Sequence, residues 1–202
     1  MRQMEIKSLS KKVYVKIIDF AIRGMHLDWY IKNKTILRLY GRYFLYLELN
    51  KATQIFAAYE GDVLIGVLLA EMYHEKPIKT SCFQKFYVKL INLIQHTFVK
   101  QVDDYDNANK EMLGEFIKKH KPDGELIFLA ADPDANRKGI GTALLQALAE
   151  AESGKRVFLF TDSGCTYQFY EHRGFARYAE RHIKLQLANT IPLDCYLYQK
   201  VI

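Results

Sequence analysis

Cysteine is scarce: Cys82, Cys165 and Cys195 are the only three in a chain of 202 residues, and they lie far apart. None has the spacing of a metal ligand set, so a zinc ribbon or a disulfide-stapled scaffold is not expected, and reduced thiols in a cytosol fit best. The N-terminus, Met1-Arg-Gln-Met-Glu-Ile6, has no apolar signal core, and no apolar run approaches membrane-spanning length. No histidine is paired as His-x-x-x-His, so no metal is expected. Lysines and arginines are scattered rather than gathered into a stripe with aromatics between them, which argues against nucleic-acid binding. No repeat or low-complexity tract interrupts the chain. The expectation is therefore a single domain over 1–202, cytoplasmic, with neither a membrane nor a nucleic acid as partner.

What is present is ample core material. Hydrophobic residues make up 50% of the chain and aromatics 13%, enough for a proper core. The net charge of +6 is a modest excess, compatible with a polyanionic small molecule.

The most informative stretch runs from Leu126 to Leu145. Leu126-Ile-Phe-Leu-Ala-Ala131 reads as a buried strand and Asp132-Pro133 as a turn. A helix then runs to about Glu152 on Ile140, Leu144, Leu145, Leu148 and Ala151, stopping at Ser153-Gly154. The link, Asn136-Arg137-Lys138-Gly139-Ile140-Gly141, leaves the N–H groups of the first helical turn facing outward. Glycines admit a bulky anion to that backbone, and the helix dipole favours negative charge there. Such a turn reads as a phosphate cradle, or more plainly as a tight turn with close helix packing. A P-loop is excluded, because Gly-x-x-x-x-Gly-Lys-Ser/Thr does not occur; a dinucleotide fingerprint would need a third glycine where Leu144 stands.

Asn136–Gly141 resembles the acetyl-CoA-binding motif of the GNAT superfamily of N-acetyltransferases, Arg/Gln-x-x-Gly-x-Gly/Ala, departing from it only at Asn136. After the strand Arg156–Thr161, the run Phe169-Tyr170-Glu171-His172-Arg173-Gly174-Phe175 resembles the family's second element, a short helix stopped by an αL glycine. The resemblance covers roughly residues 53–75 and 124–202. It implies an α/β fold: a mixed, mostly antiparallel sheet splayed at its centre and flanked by helices.

The rest of the chain fits that plan. Val13, Ile17, Phe20, Ala21 and Gly24 are spaced for one helix, and Asp28 is placed to cap a second through Ile31, Thr35, Leu39 and Tyr43. Thr53–Tyr59 and Val63–Tyr73 read as a hairpin turning at Glu60-Gly61-Asp62. Residues 77–123 form a helical insertion between the third and fourth strands. Its first helix carries Phe83, Phe86, Tyr87, Leu90, Ile91, Ile94, Phe98 and Val102 at helical spacing, and its second runs from Asn109 to about His120. The apolar stripe is expected to pack on the protein's own sheet rather than to serve as a lid, dimer contact or membrane face. Ala176–Leu187 and Asp194–Ile202 read as two closing strands joined through Asn189–Pro192.

The resemblance implies direct transfer of an acetyl group from acetyl-CoA, the co-substrate, to a primary amine of a small molecule or protein. It places the pantetheine arm against Leu129 and Ala131, and the diphosphate on Asn136, Arg137, Lys138, Gly139, Ile140, Gly141 and Thr142. Tyr170 holds the position of the acid that protonates the leaving thiolate; a phenol of pKa ~10 is close enough to a thiol of ~8.5 for that transfer. Some relatives carry a carboxylate on the strand before the second motif, but none occurs in Val157–Phe160; Glu71, His74 and Asp132 remain as candidate bases, Glu71 first among them, and a water chain to bulk solvent would also serve. Dimers are frequent in the family, which leaves room for a homodimer. A domain that holds acetyl-CoA or a partner without catalysis is the alternative.

Overall fold

Among the described residues seven strands form one sheet: β1 (Met4–Lys7), β2 (Gln54–Glu60), β3 (Val63–Met72), β4 (Gly124–Ala131), β5 (Arg156–Asp162), β6 (Ala176–Gln186) and β7 (Thr190–Val201). The computed structural model describes residues 3–98, 103–186 and 190–202. The sheet order is β1-β2-β3-β4-β5-β7-β6, and every neighbouring pair is antiparallel except β4 and β5. This is the α/β class read from the sequence, splay included.

Helices cover both faces. On one, α6 (Ile140–Ala151) seats Ile140, Leu144 and Leu148 on Leu68, Leu126, Val157 and Leu159. On the other, α1 (Tyr14–Gly24) and α3 (Lys34–Lys51) bury Ile17, Phe20, Leu45 and Leu49 against β2–β4. The strand period of two explains how β5 serves both sides, since Val157 and Leu159 face α6 while Phe158 faces the opposite layer. No helix is long and apolar enough to cross a membrane among the described residues.

The second helix starts later than the sequence suggested. Asp28 lies inside a separate single turn, α2 (Leu27–Tyr30), and the cap of α3 is Asn33, whose side chain accepts from Thr35 N at 2.9 Å and Ile36 N at 3.1 Å. Either residue type can cap, and only the backbone path decides between them. Asn33→Ala should cost about 1 kcal/mol of stability, read as a lower denaturant midpoint at unchanged m-value.

The insertion divides into two helices with different fates. α5 (Asp103–Lys119) does pack on the sheet, burying Ala108, Met112 and Phe116 against Phe158, Leu193 and Leu197. It begins six residues before the expected Asn109, because its acidic first turn suits a helix N-terminus without showing apolar periodicity. α4 (Cys82–Phe98) corrects the expectation for its stripe. Helix α3 already covers β2–β4 on that face, so α4 stacks outside α3. There Tyr43 donates to Asn92 Oδ1 at 2.5 Å and Tyr87 donates to the Leu39 carbonyl at 3.0 Å. A capping box starts α4: Gln84 N donates to Ser81 Oγ and Ser81 N donates to Gln84 Oε1. Phe83, Phe86, Leu90 and Leu93 are left exposed. Val102, Leu187 and Asn189 lie outside the described residues.

The last strand also starts earlier than expected, at Thr190 rather than Asp194. Pro192 is tolerated inside it because β5 pairs only with Cys195–Val201, leaving the proline's end of β7 bonded to β6 alone.

Candidate active site

The site begins where strand pairing fails. β4 and β5 are paired only at Gly124↔Val157 and Glu125↔Phe158, after which they diverge. Asp132 N donates to the Ile65 carbonyl at 2.8 Å, so its amide faces β3. Backbone direction alternates along a strand, and the N–H and C=O groups of Ala131 and Leu129 therefore point away from β3, into the gap. These are the two positions expected to bond a pantetheine arm.

A bulge on β4 sets which side chains see that gap. Leu69 pairs with Phe128 and Ala70 with Leu126, leaving Ile127 as the extra residue. Leu126 and Leu129 consequently both join the α6 side, and Phe128 joins the α1–α3 side. Glu125, before the bulge, lies with Glu48 and Lys51 of α3 on the wall of a cavity of about 1460 Å³. This cavity is floored by the splay and walled by α1, α3, α4 and α5. Its lining also includes Gly141, Cys165 and Tyr170.

The cradle closes one end. Gly139 is the N-cap of α6 at φ +84°, in the left-handed region, and has no side chain to bond the first-turn amides of Ile140, Gly141 and Thr142. A Cβ at Gly139 would meet nothing within 4 Å, so the backbone is open on that side of the helix start. At Gly141 a Cβ would lie 2.8 Å from Phe169 Cζ, so only glycine lets the α7 segment (Gln168–Glu171) press this closely on α6. That contact carries Tyr170 to the cavity.

The other predicted cradle residues are distributed less simply. Asn136 and Lys138 are exposed on the loop. Arg137 Nη1 lies 3.8 Å from Glu60 at the β2–β3 turn, and the Thr142 hydroxyl accepts from Arg173 Nη2 at 2.6 Å. Two ion pairs pin α1 to the loop, Lys16 to Asp132 at 2.7 Å and Arg23 to Asp134 at 2.6 Å.

The candidate bases separate. Asp132, besides pairing with Lys16, accepts from Asp134 N at 3.0 Å. His74 lies 3.6 Å from Glu152, at the far end of β3. Glu71 sits directly across from Glu125 in the β3–β4 register. None of these three lines the cavity, whereas Glu125 and Glu48 do. Burial pushes the Glu125 carboxyl up to about 7, with neighbouring Glu48 and Glu71 adding and Lys51 opposing. Burial raises Glu48 too, against the pull of Lys51, whose Nζ is 3.6 Å away. Glu125 lies on β4, not on β5 where the family resemblance directs the search for a carboxylate. The available signal was a lone charge at the mouth of an otherwise apolar strand.

Tyr170 is held by Phe169, Phe175 and Tyr198, with ring centroids 5.2, 5.7 and 6.4 Å away. Burial drives its phenol well above the ordinary range. The turn after it is closed by Gly174 at φ +77°, the αL stop expected from the sequence. Two groupings of metal-ligating type, His74–Glu75–Glu152 and Glu180–His182–Asp194, have ligand atoms within 4.8 Å of one another, and neither lines the cavity. Both are engaged internally: Gln54 Nε2 donates to Glu75 and Glu152, and His182 Nδ1 lies 2.6 Å from Asp194.

The splayed sheet, with a glycine-capped helix start at its open end, is the fold that the resemblance to the GNAT acetyltransferases implied. The family model for the acetyltransferase (GNAT) domain matches residues 96–177. The matched stretch contains both motifs, in line with the resemblance read from them. No curated protein matches it. Among solved structures, PH1933 from Pyrococcus horikoshii OT3 is similar at 17% identity and TM-score 0.58, covering 99% of each chain. Histone acetyltransferase HPA2 and related acetyltransferase from Corynebacterium glutamicum is similar at 15% identity and TM-score 0.56, covering 98% of this chain and 96% of that one. The PaiA N-acetyltransferase of Thermoplasma acidophilum, solved in complex with coenzyme A, is similar at 15% identity and TM-score 0.51, covering 99% of each.

Proposed function

We propose that the protein moves an acetyl group from acetyl-CoA directly to a primary amine. One observation carries this reading: the strand edge presenting Leu129 and Ala131 opens into the same cavity that Tyr170 and Glu125 line. Acetyl-CoA supplies an activated thioester, and its diphosphate suits the open first turn of α6 at Gly139–Thr142, with Asn136, Arg137 and Lys138 flanking it. The amides at the gap fix the pantetheine arm, and holding the thioester in one place supplies much of the rate.

The proton transfers fall to two side chains. An amine arrives as an ammonium of pKa ~10 and must lose a proton to become a nucleophile. Glu125, titrating near 7, takes that proton directly or through one water. Its carboxyl lies on the cavity wall, which is the reason to prefer it to Glu71, one strand further out. Tyr170 gives its proton to the departing thiolate. Burial keeps the phenol protonated at working pH but also makes it a weaker acid than an ordinary tyrosine, so the proton moves only as negative charge develops on the departing sulfur.

The test is thiol release from acetyl-CoA with and without amines, beside calorimetric titration of acetyl-CoA. Micromolar binding and amine-dependent release are expected. Absence of both at millimolar acetyl-CoA would sink the proposal.

A further inference from the structure

Charged groups along the cavity wall already have partners nearly everywhere. Arg23 pairs with Asp134, and Asp162 accepts from Tyr105 OH at 3.3 Å and Gly164 N at 2.8 Å. Asp106 and Lys110 lie one turn apart on the exposed side of α5, where opposite charges at i and i+4 offset each other. The exception is the end beneath α3, where Glu48 and Glu125 share the single cation Lys51. Between that end and the mouth the larger share of the wall is apolar, Leu39, Phe44, Ile91, Ile94, Leu113 and Phe160, with Tyr40 and Asn109 among them.

We infer that the acceptor is a monoamine with an apolar body, an aryl or branched alkyl group, its ammonium directed to Glu48 and Glu125 and its body held between α3 and the inserted helices. This rests on the acetyl-transfer reading and specifies its substrate class. Two carboxylates against one lysine leave room for one positive charge. A second ammonium, as in a polyamine, or a carboxylate, as in an amino acid, would have to leave the wall formed by Leu39, Phe44, Ile91 and Ile94 and compete for groups already engaged, such as Asp162 and Arg23, and a charge buried against that wall is strongly unfavourable. Ile91 and Ile94 come from α4 and Leu113 from α5, so the insertion supplies much of this selectivity.

The experiment compares kcat/KM for 2-phenylethylamine and isoamylamine with that for spermidine and L-lysine. The apolar monoamines should lead by at least about tenfold. Ile94→Asp and Leu39→Asp place a charge on the wall at half-exposed positions, where folding tolerates it; each should lower kcat/KM for 2-phenylethylamine about tenfold or more while leaving the acetyl-CoA affinity, read by calorimetry, unchanged. Preference for spermidine or L-lysine, or indifference to both aspartates, overturns the inference and leaves acetyl transfer standing. Bound acetyl-CoA with no transfer to any of the four amines overturns the transfer reading, and this inference falls with it.

Discussion

Glu125→Gln should slow acetyl transfer about a hundredfold or more while making the protein more stable at neutral pH. The two effects share one cause. A base of pKa about 7 gives wild-type kcat/KM a tenfold rise per pH unit on the acid side and a plateau above it. Glutamine cannot take the proton, so both the rate and the inflection disappear. For stability, the carboxyl moves from an ordinary 4.5 to about 7 on folding, because burial disfavours its charge. The folded state therefore retains a proton that the unfolded chain has released, and stability falls as pH rises from 4.5 through 7. The full cost above pH 7 is roughly 3 kcal/mol as an upper figure. Glutamine removes it, raising Tm by several degrees at pH 8 and leaving it unchanged near pH 4. A variant that is active, or less stable at pH 8, would show that Glu125 is not the buried base.

Tyr170→Phe is the second large effect. Loss of the hydroxyl should lower kcat by about a hundredfold or more, the usual scale for a positioned acid. The acetyl-CoA affinity should not move, since the proposed contacts are backbone groups of β4 and α6, and the ring that packs on Phe175 and Tyr198 is retained. Because burial raises the phenol, the wild-type kcat profile should stay level from pH 8 to 10, without the falling limb that an ordinary tyrosine would begin to show. Equal kcat in the two proteins would remove Tyr170 from the mechanism. Acetyl-CoA binding without turnover in the wild type would favour the non-catalytic alternative.

The legible parts of this chain are those fixed by neighbours in sequence. The β2–β3 hairpin announces itself through Glu60-Gly61-Asp62 between apolar runs, and Gly61 does take a positive φ of 65°. The step from β4 into α6, and the Gly174 stop after α7, depend on glycines whose conformations no other residue adopts cheaply. Other features were not legible for a definite reason. Asp28 and Asn33 are equal candidates as caps until the path from α1 to α3 is known. The stripe of α4 has the periodicity of a buried face, and nothing in its own residues reveals that α3 already occupies the sheet beneath it.

The cavity belongs to this second group. Glu48 and Glu125 are far apart in sequence and meet because α3 crosses the base of β4 (each carboxylate reads alone as an ordinary solvated charge). The bulge at Ile127 turns Phe128 to the same side, an offset that strand periodicity does not predict. Local chemistry, meaning glycine torsions, helix-end amides and apolar spacing, was enough by itself to mark the turn at Asn136–Gly141 as a candidate phosphate cradle, while Tyr170 was singled out by the resemblance alone. Packing between distant segments decided which carboxylate is buried, how the inserted helices are used and what an acceptor would meet, because burial and charge balance are properties of neighbours in space.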